Sequence, residues 1–556
     1  LAAGLALAGY RVALADLDPA YWCAALPGRI GGQLAGSGRW QDGALQARAD
    51  WALAGQLRRQ PLKLDGRLQG DGGRWRLDGL DLRLGDNRID GGGQWHERLD
   101  GRLRLALPRL DQLWPGLRGR LAGELALAGT PAAPQGRAQL AGAALGYGAQ
   151  SLAQLQLDGS VDARQQGELR VAARGLRSAG RDFGRLALNA AGSLARHSAE
   201  LSVDGEPLRL NLALAGGLDA RRVWRGELQR GAFGVAGLDW QLRAPAAVER
   251  SASGRVDLGA HCWQSQQASL CAEAQRLLPE PQLRLRLRDL DLARLGGLLP
   301  EDLAIAGQLA GDLRLDLAAA GPSGELSLDA GSGALRLRQA AGGPWLEVPY
   351  RQFALSSRLR PQRVDSRLAL SGPSLGSLEL LASLDPRPAS RPLSGSFRVD
   401  GLDLGLARPF VERLERLEGR IDGSGRLSGG LLAPVVDGHL RLRDGRLGGG
   451  DLPLAVDDLQ LTLDIAGQQA QLDGSWRSGA QGRGSLDGSL GWAGEPQLDL
   501  RLHGSRLPLV VEPYAQLEAD PDLRLSLRER RLLVGGQLAV PRGQIKVREL
   551  PAQAVK

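Results

Sequence analysis

The chain has 556 residues, of which 79 are glycine, and aromatic residues make up only 4%. Its 70 basic and 62 acidic residues give a net charge of +8, and almost all of the bases are arginines interleaved with acids. The absence of basic stripes with stacking aromatic side chains argues against nucleic-acid binding. We expect the charges to form a solvated sheet face that resists unwanted edge pairing. Contact with anionic lipid head groups is an alternative role for the arginines.

The start of the chain is apolar from Leu1 to Gly9, and Tyr10 and Arg11 end this run. The run is shorter than the ~20 residues that span a bilayer, and it lacks the basic start of a signal peptide. Because the chain contains no methionine, even at position 1, we expect it to be a fragment of a longer protein. No charged block or low-complexity segment divides it, which favours one continuous, repetitive architecture.

Leucines on alternate residues are the dominant pattern of the chain. A period of two gives a β-strand one apolar and one polar face, so the sequence predicts strands almost throughout. With about 15 residues for each strand and its turn, the chain would form about 37 strands. The residues that we predict to line an apolar, lipid-binding groove are Leu208, Leu210, Leu212, Leu283, Leu285, Leu287, Leu440, Leu442, Leu459, Leu461, Leu463, Leu498, Leu500, Leu523 and Leu525.

Four copies of the pattern Gly-x-Leu/Ile-x-Gly recur along the chain, which indicates an internal repeat. They occupy residues 28–32, 119–123, 307–311 and 419–423. A short segment with helical spacing lies just before each copy, and these segments are Asp16–Leu26, Leu107–Leu117, Leu290–Leu303 and Leu404–Leu417. We expect them to be amphipathic connectors packed on the sheet, with capping of the sheet as the alternative.

Asp-Gly dipeptides between alternating hydrophobic residues predict hairpin turns. Such dipeptides begin at Asp65, Asp78, Asp158, Asp444, Asp473 and Asp487. Meandering antiparallel strands follow from these turns. The predicted fold class is therefore all-β, an elongated and curled antiparallel sheet with an open hydrophobic groove and a few short helices.

Two cysteines, Cys262 and Cys271, have eight residues between them. Two strands of a hairpin would bring them within the ~5.5 Å Cα distance of a disulfide, and two buried free thiols are the alternative. A disulfide would indicate an oxidising compartment such as the periplasm, and Cys23 would remain unpaired.

The sequence shows no pattern for catalysis or for metal binding. His96-Glu97 begins like a zinc-protease motif, but position 100 is Asp100 and not a second histidine. His261 adjoins Cys262, yet no further ligands follow at zinc spacing. We therefore expect no enzyme activity and no cofactor.

The apolar face of such a long sheet must be covered by something. Membrane barrels carry girdles of aromatic residues, and the five Phe and five Tyr of this chain are too few to form them. The lack of linkers argues against a chain of sandwich domains. A sheet that curls around a guest would leave an apolar channel suited to acyl chains. The alternatives are a scaffold that receives unfolded outer-membrane strands and an extracellular β-solenoid with a closed core.

Several motifs, taken in their order along the chain, resemble the TamB proteins of the AsmA-like family, and the likeness covers essentially the whole chain. They are Leu84-Gly-Asp-Asn-Arg-Ile89, Trp114-Pro-Gly-Leu-Arg-Gly119, Trp224-Arg-Gly226, Trp240-Gln-Leu-Arg-Ala-Pro245, Cys262-Trp263 with Cys271, Pro521-Asp-Leu-Arg-Leu525, Gly536-Gln-Leu-Ala-Val-Pro541 with Arg542 to Ile545, and Leu550-Pro551.

The resemblance implies a periplasmic protein anchored in the inner membrane of a Gram-negative bacterium, with a U-shaped sheet around a hydrophobic groove. It implies phospholipid transport to the outer membrane, or assembly of outer-membrane proteins such as autotransporters, with TamA, an Omp85-type barrel, as partner. Residues 1–400 would form the repetitive region, and residues 401–556 the start of the family's C-terminal domain. The membrane anchor and the end of that domain would lie outside this chain.

Overall fold

The computed structural model describes residues 5–41, 44–235, 237–338, 343, 345–411, 414–450, 452–492, 496–511, 515–528 and 531–545. The chain folds as two compact units, Leu1–Ser265 and Gln266–Lys556, which we call unit 1 and unit 2. Each unit consists of antiparallel strands with a few short helical segments. The predicted all-β class is confirmed, and the described residues contain 39 strands against the expected number of about 37.

Unit 1 is a meander in which each strand from β1 to β15 pairs with the next one along the chain. The strands are β1 (Leu5–Leu17), β2 (Gly28–Gln41), β3 (Ala44–Leu57), β4 (Gln60–Asp71), β5 (Arg74–Leu84), β6 (Asn87–Trp95), β7 (Leu99–Leu107), β8 (Leu117–Gly129), β9 (Pro134–Tyr147), β10 (Gln150–Val161), β11 (Gly167–Ser178), β12 (Arg181–Gly192), β13 (His197–Asp204), β14 (Arg209–Leu218), β15 (Trp224–Val235), β16 (Leu238–Leu242), β17 (Ala246–Arg250), β18 (Val256–Leu258) and β19 (His261–Ser265). At the end of the meander, β15 pairs with β16 along one half and with β17 along the other.

Unit 2 continues in the same style, with one inserted hairpin. The strands are β20 (Ala268–Ala272), β21 (Gln275–Leu278), β22 (Gln282–Asp291), β23 (Leu303–Ala318), β24 (Gly321–Asp329), β25 (Gly333–Leu337), β26 (Leu346–Tyr350), β27 (Gln352–Arg360), β28 (Arg363–Gly372), β29 (Gly376–Leu384), β30 (Leu393–Asp403), β31 (Arg416–Gly430), β32 (Ala433–Gly448), β33 (Val456–Gly467), β34 (Gln469–Ser478), β35 (Gly482–Gly491), β36 (Gln497–Ser505), β37 (Leu507–Val511), β38 (Ala515–Arg528) and β39 (Arg531–Ile545). The first residues of β23 pair with β25 and the rest with β24, so the β25–β26 hairpin extends one end of the sheet.

The four predicted helical segments exist but are shorter than expected, and three of them are 3-10 turns. They span Pro19–Tyr21, Leu110–Leu113, Leu292–Leu298 and Leu404–Phe410. An aspartate caps each 3-10 segment by accepting a backbone N–H two residues ahead, as Asp403 does from Gly405 at 2.8 Å. Glycines and prolines within or just after these segments prevent longer helices.

The six predicted Asp-Gly hairpin turns are wrong, because all six dipeptides lie inside strands. Asp78-Gly79 and Asp444-Gly445 fall at β-bulges, with Gly79 and Asp444 at φ of 62° and 55°. A bulge and a tight hairpin turn both favour residues that tolerate positive φ, so the same dipeptide suits either. At Gly474 the glycine is required for packing, because an added Cβ would clash with the Leu461 side chain on the paired strand.

The Gly-x-Leu/Ile-x-Gly repeats mark the places where a long strand bends just after a short helical segment. In each copy one glycine has a positive φ, and in the last three copies it is the first one, at 99°, 148° and 145° for Gly119, Gly307 and Gly419. The pairing register shifts beside Gly119 and beside Gly419. In these two copies the repeat is therefore a bulge, and the positive φ found in all four copies favours glycine.

A buried polar network holds the Leu110–Leu113 helix against the turn between β5 and β6. Asn87 is only 2% exposed, and its amide nitrogen donates to the backbone oxygens of Leu84 and Arg109 at 3.1 and 2.8 Å. Its amide oxygen accepts the Arg109 N–H, and the Gln112 side chain completes the network. These bonds fix the helix over the apolar cluster of Ile30, Leu62 and Leu84, against which Leu113 also packs.

We expect Asn87→Ala to destabilise this end of unit 1 by about 2 kcal/mol, because buried backbone groups would lose their partners. Hydrogen exchange of the amides of residues 84–113 should speed up in the variant. A control at an exposed amide side chain, Gln46→Ala on β3, should leave the exchange of these amides unchanged. Equal exchange in both variants would contradict a structural role for Asn87.

Candidate functional site

The apolar face of unit 1 consists of rows of small and aliphatic side chains that are paired across neighbouring strands. One row runs from Leu103 on β7 through Leu125, Ala138 and Gly159 to Leu169 on β11. Successive members lie one strand spacing apart, ~4.8 Å. The face is therefore continuous and presents almost only hydrocarbon.

An open groove of about 1260 Å³ lies on this face of unit 1. This volume exceeds the roughly 300–1,000 Å³ of usual small-molecule pockets. Its large apolar lining residues are Leu68, Trp75, Leu77, Trp95, Leu103, Leu125, Leu127, Val161, Leu169 and Leu194. The last of these is 74% exposed, so hydrocarbon remains open to solvent at the groove's border. Exposed apolar surface of this kind marks a binding surface.

A hydrogen-bonded aromatic pair lies at one border of the groove. Trp224 Nε1–H donates to His197 Nε2 at 2.7 Å, so the opposite ring nitrogen, Nδ1, carries the proton and donates to the Ser193 carbonyl at 2.9 Å. The indole ring reaches this position by crossing Gly216 and Gly226, where an added Cβ would lie 2.5 Å from ring carbons. The two glycines therefore position Trp224, and Trp224 fixes the ring of His197.

The predicted groove leucines lie on the apolar faces of both units, with one exception. Leu208 lies in the loop before β14 and is half-buried, while Leu210 and Leu212 lie on the strand itself. In unit 2, Leu283, Leu285 and Leu287 of β22 face the apolar side of β23. Three sets of predicted residues are directly paired: Leu440 with Leu463, Leu442 with Leu461, and Leu500 with Leu525. Leu523 shares the side of Leu525 on β38, and Leu498 pairs with Leu527.

Some of these leucines are already covered by the protein itself. Leu442 and Leu459 belong to a buried cluster with Val456 and Trp476, and Leu404 of the helical segment packs against it. Leu500 is also buried. A guest molecule would therefore meet the half-buried positions, such as Leu285, Leu440 and Leu461, before it met these three.

The polar faces carry ion pairs between neighbouring strands. Arg102 pairs with Glu124 at 2.6 Å in unit 1, and Arg367 pairs with Glu379 at 2.7 Å in unit 2. Exposed pairs of this type contribute at most about 1 kcal/mol each. Their main effect is to keep the polar faces hydrated, so that apolar guests do not bind there.

Asp385 has the largest pKa shift on these surfaces. Hydrogen bonds from the Arg387 side chain and then from its backbone N–H lower the pKa of Asp385 to about 2. The charged form is thus favoured in the folded state, so its contribution to stability is present above pH ~4 and is lost as the pH falls toward 2. We expect Arg387→Gln to move the pKa of Asp385 back toward its usual value of 3.8, as measured by NMR titration of the carboxyl carbon. An unchanged titration would show that the arginine side chain does not lower this pKa.

Within the described part of the chain, no group of three or more His, Cys, Asp and Glu side chains is arranged to hold a metal ion. Cys23 is a half-buried free thiol. None of the helices described is long and apolar enough to cross a membrane.

Comparison with known proteins places the chain in a family. The sequence pattern of the TamB N-terminal domain matches residues 9–442, and that of the TamB C-terminal domain matches residues 473–556. The chain belongs to the TamB family. It is 21% identical to the "Translocation and assembly module subunit TamB" of Haemophilus influenzae over 97% of its own length. The chain spans 42% of that relative, which is less than half of its length.

The two TamB domain matches are separated by residues 443–472. The boundary between the two compact units falls elsewhere in the sequence, between residues 265 and 266. The domain boundary that we predicted between residues 400 and 401 stays a prediction.

None of the residues that line the unit 1 groove in this TamB family chain is among the groove leucines predicted from the sequence. Leu103, Leu125 and Leu127 follow the same alternation as the predicted leucines, so a signal existed. Trp75 and Trp95 were harder to predict as groove residues, because single tryptophans near strand ends form no alternating pattern in the sequence. They are directly paired across β5 and β6, which the sequence spacing alone does not reveal.

Proposed function

We propose that this TamB family chain carries phospholipids, with their acyl chains on the apolar faces of its two units. The observation that supports this most directly is the open groove of about 1260 Å³ in unit 1, whose large apolar lining residues are Leu, Val and Trp. The half-buried leucine rows of unit 2 offer a second surface with the same chemistry. A carrier of this kind needs no catalytic residues, and we propose a role that is not enzymatic.

The energetics favour a guest that slides. Each acyl CH₂ removed from water contributes roughly 0.8 kcal/mol, so ten of them contribute about 8 kcal/mol. Rows of leucine offer the same contact at each strand spacing, so a chain shifted by one row keeps most of this stabilisation. The apolar face has few polar groups, so little would hold the guest at one point.

The resemblance to TamB proteins extends the proposal to the cellular setting. We place the chain in the periplasm, as part of a longer protein anchored in the inner membrane, with the outer-membrane barrel TamA as partner. The H. influenzae relative is named a subunit of a translocation and assembly module, which supports a complex of several subunits. In this setting the apolar faces would shield phospholipids on their way between the two membranes.

Photo-crosslinking tests the proposal. A crosslinking amino acid at Leu285 or Leu461, on the apolar face, should label phospholipids during growth. The same amino acid at Arg286 or Gln460, one residue away on the polar face, should not. Equal labelling from both faces would refute the lipid-binding face.

The second candidate function is a scaffold for assembling outer-membrane proteins. The open groove of unit 1, with Leu194 74% exposed at its border, is also wide enough for the apolar face of an extended strand. Such a groove would bind alternate side chains of an unfolded outer-membrane strand. Crosslinks from Leu125 to nascent barrel proteins, with no lipid recovered from Leu461, would favour this candidate.

A Cys262–Cys271 disulfide remains part of the proposal, because the periplasm would support it. Peptide mass spectrometry of the protein purified without reductant should recover the two cysteines in one linked species. Cys23, a free thiol in the structure, should react with an alkylating reagent after unfolding and serves as the internal control. Recovery of all three cysteines in alkylated form would contradict the disulfide.

A further inference from the structure

Three successive turns at one rim of unit 1 carry four exposed arginines. Arg164 lies in the β10–β11 turn, Arg196 in the β12–β13 turn, and Arg221 and Arg222 in the β14–β15 turn. In an antiparallel meander, alternate turns lie at the same end of the strands, about two strand spacings or ~10 Å apart. The four side chains therefore form a line, which we call the arginine rim.

The acidic residues of these turns are already engaged in shaping them. Asp162 Oδ1 accepts the backbone N–H groups of Arg164 and Gln166 at 2.8 and 2.9 Å. Asp219 Oδ1 accepts two backbone N–H groups in the same way, and its other oxygen pairs with Arg225 at 2.8 Å.

Among the residues that the structure describes, none of the four guanidinium groups has a carboxylate partner. This distinguishes the rim from the polar face, where many arginines are paired. Four guanidinium groups without partners leave a local positive potential at this rim.

The first two of these turns also line the groove, and the third lies outside it. Val161 at the end of β10 and Gln165 line the groove at the first turn, and Ser193 and the exposed Leu194 line it at the second. His197, which begins β13, lines the groove as well. Hydrocarbon contacts and unpaired cations thus meet along one border, a pattern that matches an amphiphile with an anionic head.

We propose that the arginine rim binds the phosphate-bearing head groups of anionic phospholipids whose acyl chains lie in the unit 1 groove. This inference rests on the proposed lipid-carrying function and adds a selectivity to it. Guanidinium groups bind phosphate oxygens through two parallel N–H···O bonds, and they stay charged at all physiological pH values. A zwitterionic head group binds more weakly at this rim, because the arginines repel its own cation.

The test compares two lipids with identical dioleoyl chains, phosphatidylglycerol and phosphatidylcholine, as competitors of a fluorescent fatty acyl probe bound to the full chain. We expect phosphatidylglycerol to bind at least about fivefold more tightly at low salt, with the preference falling as salt is raised. A variant with Arg164→Gln, Arg196→Gln, Arg221→Gln and Arg222→Gln should reduce the preference to within about twofold. Phosphatidylcholine binding by this variant should be unchanged, which also shows that the groove is folded.

A matched control removes the same charge from the polar face of unit 1. Its four substitutions are Arg104→Gln, Arg120→Gln, Arg174→Gln and Arg185→Gln, all at exposed strand positions. This control should keep the preference for phosphatidylglycerol. Equal loss in both variants would refute the rim as the binding site, because net charge alone would then explain the preference.

Three further outcomes are decisive. Equal binding of the two lipids by the native chain would refute the rim's selectivity and leave lipid carriage intact. Binding of neither lipid would refute lipid carriage itself. Loss of the preference in millimolar inorganic phosphate, with probe binding retained, would show a simple anion site and refute head-group recognition.

Discussion

Leu125→Asp is expected to remove lipid from the unit 1 groove without unfolding the unit. Leu125 lies on β8 in the middle of the groove, paired with Leu103 and Ala138. An acyl chain at this point would have to strip water from the new carboxylate, which costs several kcal/mol. We therefore expect at least a tenfold loss of lipid crosslinking from a photoreactive residue at Leu169, two strands beyond Ala138 in the same row.

The fold should tolerate this change because Leu125 is only half-buried, so an empty groove leaves the carboxylate hydrated. The matched control is Ala122→Asp on the polar face of the same strand, where the alanine is exposed. It introduces the same charge and should leave crosslinking at Leu169 unchanged. Full lipid labelling in Leu125→Asp, with an unchanged circular dichroism spectrum, would show that lipids do not pass this point of the groove.

Leucine alternation predicted the strands and their apolar faces well, because a period of two has a single structural meaning over many residues. Leu440 is directly paired with Leu463, and Leu500 with Leu525, while their role in a lipid groove stays a prediction. The sequence does not reveal which leucines the protein covers itself. Leu459 becomes buried through contacts with Val456 and Trp476, and these depend on the bulge between Leu442 and Gly445.

Turns were predicted less well, because tertiary contacts override local preference there. Arg58 and Arg59 form the hairpin between β3 and β4 at φ of 51° and 64°, a conformation that arginine seldom adopts. Arg58 compensates by donating to the carbonyl oxygens of Asp111 and Gln112, in the Leu110–Leu113 helix. No local pattern indicates a partner more than fifty residues away. The Asp-Gly dipeptides predicted turns but lie inside strands, two of them at β-bulges.

Unit 2 offers the largest expected change in stability, at Tyr350. This residue is 2% exposed and packs with Leu292 and Ala330, and its hydroxyl donates to the Ala306 carbonyl at 2.8 Å. Its ring lies edge-on to Phe353, with 5.9 Å between the ring centroids. Burial also raises the pKa of Tyr350, so the hydroxyl stays a donor. We expect Tyr350→Ala to destabilise the β25–β26 hairpin by about 4 kcal/mol, the usual cost of truncating a buried aromatic side chain.

Hydrogen exchange is the suitable measurement, because a chain of two units need not unfold in a single step. A loss of about 4 kcal/mol should accelerate exchange of the β25 and β26 amides by about three orders of magnitude. Tyr350→Phe removes only the hydroxyl and should cost about 1 kcal/mol, or less than tenfold in exchange. Tyr147→Ala, at a 57% exposed tyrosine of unit 1, is the control and should leave these amides unaffected. Similar exchange in Tyr350→Ala and in the native chain would show that the hairpin is held by β23 pairing alone, and that the aromatic cluster is not its anchor.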